Sequence, residues 1–348
     1  MLRPLQGLVG VAATLSLMGM PGTAAAADSQ ADAGPMISYH NPETLPRWDF
    51  SYGATFESWL EPITLKRIYP TDRSTSMKAQ ARSAFKQLAA TLEEMGAEDL
   101  YVVGIDLVFA GKGLTSEESL DALADLSDVR RAFFQPRVNY GPKAQGFSDY
   151  PVSSVLGVDT LGRDGVMMAM DVTLANVHEQ TYAEMLTPQK RMARIRGASA
   201  ERRMMIGNVT AMQQNFMIKG YGDLSAEVTA ALENFAAVVK DAGGSMADID
   251  SLTVHYVPEG LRVLAGAGEP RQVASRRANL GADRAKLALA RDAGSEKVIS
   301  RAIADFMTRE IGSAFDADAV TMKMEPVRVA CGVQELGVSL EGTGIIAN

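Results

Sequence analysis

The sequence predicts a mixed helix-and-strand fold built as two tandem copies of one unit. Two echoes and their common order predict it. Ala84–Ala97, an Ala- and Leu-rich stretch ending in Gly96, runs into the apolar segment Leu100–Phe109. Ala231–Gly244, of the same character and ending in Gly243 and Gly244, runs into Ile249–Val257. Further on, Ser153–Gly162 is echoed by Arg328–Gly337. The first pair is displaced by 147 residues and the second by 175, so the second copy carries 28 extra residues, placed within 259–295.

Each element follows from local spacing. Ile63–Tyr69 alternates apolar and polar residues and reads as a strand. Thr75–Met95 carries Ala81, Phe85, Leu88, Leu92 and Met95 at helical spacing, and Gly96 stops it. Tyr101–Phe109 is an apolar strand. Ser116–Asp125 opens with capping-box chemistry and reads as a short helix. Pro151–Val158 and Val166–Ala175 are strands joined by a turn at Gly162–Gly165. Met167, Met168 and Met170 read as core. In the second copy Asn215–Lys219 reads as a strand, Gly220–Gly222 as a turn and Ser225–Asp241 as an amphipathic helix. Ser251–Val257 is a strand and Glu296–Ile311 a helix. Arg328–Val333 and Val338–Ile346 are the closing strands.

Composition narrows the function. The net charge of −8 argues against general nucleic-acid binding. One cysteine, Cys331, allows no intrachain disulfide and no cysteine-cluster metal site. His40, His178 and His255 are scattered and form no paired metal motif. Residues 1–27 have the pattern of a signal peptide: Arg3, an uncharged apolar run Leu5–Met20, and Ala25–Ala27. The expected location is therefore periplasmic or secreted, with no stable membrane insertion after cleavage. Residues 28–50 read as an extended lead-in, 51–176 as the first domain, 177–204 as a basic linker and 205–348 as the second domain. The linker's cations, among them Lys190, Arg191 and Arg194, suit a solvated helix. The insertion reads as a surface helix, with a lid as the sharper alternative.

A helix ending in Gly-Gly, an apolar strand, and then Pro326-Val-Arg-Val-Ala-Cys-Gly-Val-Gln-Glu-Leu336 before a terminal strand resembles the Rid/YjgF family of imine and enamine deaminases, once labelled endoribonucleases. The resemblance covers roughly 205–348 well and 50–176 more weakly. It implies an α+β, chorismate-mutase-like fold in each copy: a mixed sheet with two helices packed on one face. It also implies trimers with pockets between neighbours. For two copies in one chain it implies a pseudo-hexamer or intramolecular pairing. No metal or organic cofactor is implied.

The resemblance places a substrate-binding arginine at Arg328, whose fork would hold a carboxylate beside a reactive C=N. An ion pair inside the protein is the competing role. Glu341, one residue from the family's water-positioning glutamate, is the second candidate. Tyr221, in the turn before a helix, is a candidate for hydrogen-bonding the ligand. The first copy is expected to have Ser153 where the second has Arg328, with Arg137 and Arg163 out of register, and so a degenerate site. Cys331 is expected in the core, Asp171 facing solvent or a pocket, and His255 as a satisfied histidine. The implied function is a secreted protein that binds a small carboxylate, with imine or enamine hydrolysis of the 2-iminobutanoate/2-iminopropanoate type. A non-catalytic binding or assembly protein is the alternative, and a chorismate-cleaving enzyme a third reading. Ribonuclease activity fits least.

Overall fold

Apolar residues recurring on one face of each helix and on alternate positions of each strand settle which surfaces pack. In a computed structural model the described residues are 37–58, 60, 62–74, 76–96, 100–135, 150–176, 201–262, 289, 291–312 and 320–347. The segment read as a leader with the residues through 36, the stretch read as a linker through residue 200, most of the 259–295 segment and Arg137 lie outside them.

The first repeat runs β3 (Pro62–Ile68), α1 (Met77–Glu94), β4 (Leu100–Ala110), α2 (Ser116–Phe134), β5 (Val152–Val158) and β6 (Met168–Asn176). The second runs β7 (Glu201–Val209), α3 (Leu224–Asp241), β8 (Ile249–Tyr256), α4 (Ala293–Ile311), β9 (Thr321–Pro326) and β10 (Val338–Ala347). Both sheets are mixed: β4 pairs parallel with β5 and antiparallel with β6, as β8 does with β9 and β10. The first sheet has the order β3-β6-β4-β5 and the second ends in β7-β10-β8-β9. An α+β unit with two helices on one face of a mixed sheet therefore occurs twice.

The N-terminal segment is not a loose lead-in to the first domain. β1 (Ile37–His40) and β2 (Gly53–Glu57) form a hairpin, and β2 pairs with β7. The second sheet thereby grows to six strands. Glu201–Arg203, expected in the linker, already belong to β7. The expected strand at Asn215–Lys219 is a turn closed by a Met212–Ile218 bridge, because the alternation that matters runs earlier, at Met204, Ile206 and Asn208. α2 continues nine residues past Asp125, to Phe134, since Leu126, Val129 and Phe133 extend its buried face. Its start is a full capping box between Thr115 and Glu118.

Each sheet buries one face under its own helices. Phe85, Leu88 and Leu126 cover Ile105, Leu107, Met168 and Met170. Leu232, Phe235, Ile303 and Phe306 cover Val254, Leu252 and Leu340. The opposite faces of the two sheets meet. Val152 of β5 lies against Gly207 of β7, and Met205 of β7 lies against Gly104 of β4, where added Cβ atoms would sit 2.8 and 2.4 Å from those side chains. The layers run helices, sheet, sheet, helices, and the polar residues left on the inner faces are enclosed between the repeats.

Candidate functional site

β4 is apolar throughout except for Asp106. A lone acid in such a strand must find partners, because an isolated buried charge is costly. Ser154, fully buried on the neighbouring β5, donates to Asp106 Oδ1 at 2.7 Å. Across the inter-sheet gap lie His255 of β8 and Glu341 of β10. His255 Nε2 is 3.2 Å from Glu341 Oε2, and its Nδ1 is 3.3 Å from Glu325 Oε2 on β9. The Ser154 hydroxyl also lies against Glu341. Both repeats thus contribute to one buried acid–base cluster.

The charges shift one another. Burial, and then the Glu341 carboxylate, push Asp106 up to about 7. Burial alone would raise Glu341, but the His255 ring, the Ser154 hydroxyl and Lys323 outweigh it and hold the carboxyl below its usual range. Burial alone would lower His255; Glu341, Glu325 and Asp106 outweigh it and raise the imidazole. The shifts favour a charged imidazole beside a charged Glu341, with the Asp106 carboxyl pushed up toward neutrality. Groups pushed apart in this way can supply an acid and a base at the same pH. Glu341 sits at a local irregularity, as its Gly-Thr-Gly surroundings suggest: the β7–β10 register breaks between Leu340 and Gly342.

Arg328 lies elsewhere and is already engaged. It is 6% exposed, and its guanidinium is ion-paired with Asp159 of the first repeat. Arg328–Val333 is not a strand. β9 ends at Pro326, and Cys331 and Gly332 follow with φ of 52° and 71° in a tight turn bridged from Ala330 to Val333. The pairing of Ser153 with Arg328 is corrected as well. Asp106 faces Ser154 and Asp171 in its sheet, where Thr253 faces Lys323 and Glu341. Ser154 and Lys323 are therefore equivalent, and five residues on from each come Asp159 and Arg328. The first repeat places an aspartate where the second places its arginine, and the two bind each other. Ser153 instead accepts from buried Arg130, which also donates to Asp49 at 3.1 Å and to Ser127 Oγ at 3.4 Å.

The rest of the motif docks the repeats together. Gly157 and Val329 exchange backbone hydrogen bonds of 2.8 and 3.1 Å. A Cβ on Gly157 would come within 2.7 Å of the Val329 side chain, so only glycine permits this approach. Gln334 Nε2 donates to Leu114 O, Thr115 O and Ser119 Oγ at the start of α2.

Cys331 is in the core, as expected. Asn208 Nδ2 donates to its Sγ at 3.0 Å, and burial pushes the thiol up to about 11. The native protein at pH 8 should resist a thiol reagent that labels one equivalent after denaturation; rapid native labelling would contradict this placement. Tyr221 stands in the turn before α3, 38% exposed. Asp171 accepts the Arg67 N–H at 2.6 Å. Among the described residues no group of three His, Cys, Asp or Glu side chains is placed to hold a metal ion. None of their helices is long and apolar enough to cross a membrane. Sequence reasoning missed Asp106, Ser154, Asp159 and Arg130. Only Asp106 left a signal, as the one charge in an apolar strand.

No protein-family model matches the chain, and no curated protein sequence does. Solved structures do resemble it. A chorismatase is 12% identical over 84% of this chain and 74% of its own, with a TM-score of 0.43. TdcF of E. coli with bound serine is 14% identical over 42% of this chain and 81% of its own, at 0.28. The E. coli YjgF product is 12% identical over 41% and 80%, at 0.27. At such identities and scores, activity has to be read from this chain's own residues. What the chain has, from its own layers and strand order, is an α+β fold in which a mixed sheet carries two helices on one face.

Proposed function

We propose that this protein hydrolyses small imines or enamines at the inter-sheet cluster, releasing ammonia. The observation that carries this is Glu341, 3.2 Å from His255 and beside Asp106, whose carboxyl burial and Glu341 push up to about 7. Water attacks the imine carbon and gives a proton to Glu341, while protonated Asp106 supplies one to the nitrogen. Glu341 then passes its proton to that nitrogen. The new hydroxyl returns a proton to Asp106, the C–N bond breaks, and a carbonyl and ammonia leave. His255 keeps Glu341 ionised between turnovers. Arg328, committed to Asp159, holds the repeats together in this reading.

The test generates iminopyruvate in situ and follows its hydrolysis. Wild-type protein should exceed buffer, and Glu341→Gln should lose on the order of 10²-fold, the usual scale for one acid–base group. A wild-type rate equal to buffer would sink the proposal. That outcome would favour the second reading, a non-catalytic binding or assembly protein, which the use of Arg328 as an internal partner supports. Export ahead of residue 28 and self-association into trimers belong to the same proposal, carried by the leader pattern and the family resemblance. Cell fractionation and light scattering test them.

A further inference from the structure

We propose that the first repeat carries a separate binding site, an arginine-lined cleft for a small phosphate-bearing ligand. The cleft has a volume of about 490 Å³ and opens at the end of β3. Arg67 reaches it from β3, Arg73 from the β3–α1 loop and Arg163 from the β5–β6 turn. Thr71, Gln87 and Thr91 add neutral polar groups, and no carboxylate lines the cleft among the described residues. On a chain of net charge −8, three cations gathered on one concavity are a local reversal of sign.

The loops that bear these arginines are tied in place. Gln80, fully buried in α1, donates to Ser74 O at 2.6 Å and to Gly165 O at 2.7 Å. One side chain thereby joins the loop of Arg73 to the turn of Arg163. Ser83 Oγ accepts from the N–H groups of Thr71 and Asp72 at 2.9 and 3.0 Å. Asp72 Oδ1 accepts from Ser74 N at 2.7 Å within the same loop. The Arg163 guanidinium lies over the Tyr69 ring, 3.7 Å from its centroid.

Arg67 is the unusual member. Its φ is 58°, and the β3–β6 register breaks between Leu65 and Ile68. A bulge of this kind re-aims a side chain, and a non-glycine residue in that conformation costs energy that something must repay. The 2.6 Å bond from Arg67 N–H to Asp171 fixes the geometry. A lone carboxylate needs one guanidinium fork, whereas three converging forks match the several oxygens and double charge of a phosphomonoester or pyrophosphate. The volume accepts a ligand larger than the bare ion.

Titration of the full-length protein with inorganic pyrophosphate, followed by calorimetry and thermal shift, tests this. Succinate at matched ionic strength is the control. Pyrophosphate should bind saturably and succinate should not. Arg73→Gln with Arg163→Gln, both at exposed positions, should weaken binding about tenfold or more with an unchanged circular dichroism spectrum. Glu341→Gln should bind as wild type, which separates this site from the inter-sheet cluster. Equal responses to both anions, unweakened binding by the double variant, or no saturable binding would each overturn the proposal.

Discussion

Arg328→Ala should destabilise the whole chain by about 3–5 kcal/mol, the usual cost of removing one partner from a buried ion pair. The arginine is 6% exposed and Asp159 20% exposed, so the aspartate left behind has little water to turn to. The backbone N–H of residue 328, which donates to Gly157 O at 2.7 Å beside the Gly157–Val329 bridge, is kept in this variant, so the loss reports the side-chain pair. Urea melts read the effect directly. Asp159→Asn should lose a similar amount, and the double variant should lose much less than the sum, since the two residues share one interaction. A loss below about 1 kcal/mol for Arg328→Ala, the value of an ordinary surface pair, would show that the pair does not hold the repeats together. Asp159→Asn also separates the two roles of Arg328. If the arginine were a ligand clamp, freeing it should tighten carboxylate binding; if it staples the repeats, the variant should only lose stability.

Asp106→Asn should stabilise the protein above neutral pH by about 2–4 kcal/mol, given roughly 1.4 kcal/mol for every tenfold change in proton affinity between the unfolded and folded chain. Asp106 is raised from 3.8 to about 7. Such a group favours the folded state fully below its unfolded value, and that advantage is lost as pH rises through about 7. His255 is raised above 6.5 and acts in the same direction, its contribution disappearing as pH climbs past its folded value. Glu341 is lowered from 4.5, so its contribution is present above 4.5 and is lost only in acid. Together they predict a maximum near pH 4–5 and a decline toward pH 7, with Asp106 alone giving a slope of roughly 1 kcal/mol for each step of one in pH between its unfolded and folded values. In Asp106→Asn the alkaline decline should flatten, because the amide carries no charge to bury and its oxygen still accepts from Ser154. A wild-type profile flat between pH 5 and 7 would contradict the placement of Asp106 against Glu341.

Helix α1 and strands β4, β8 and β10 were legible because their apolar residues recur at periods that follow from backbone geometry alone. The repetition was legible in the echo of Ala84–Ala97 by Ala231–Gly244, and the core placement of Cys331 in its apolar neighbours. The N-terminal hairpin was not. Its strands are short, and their partner β7 lies far along the chain, so local alternation is weak and the deciding hydrogen bonds are long-range. The turn at Ala330–Val333 escaped because Arg328–Val333 is apolar enough to read as a strand, while the left-handed φ of Cys331 leaves no mark in the sequence.

The candidate site divides along the same line. Arg328 and Glu341 stood out within their own segments, one through a motif and the other as the sole acid of the closing strand. Their roles were decided by what the fold set opposite them: Asp159 against Arg328, and His255 with Asp106 against Glu341. Sequence periodicity carries the helix faces and the strand faces, because these depend on residues a few positions apart. Only the tertiary structure could pair the inner faces of two sheets, because burial and charge contact are properties of space. That pairing turned an arginine expected to hold a ligand into a link between repeats, and a histidine expected to be merely satisfied into the centre of an acid–base cluster.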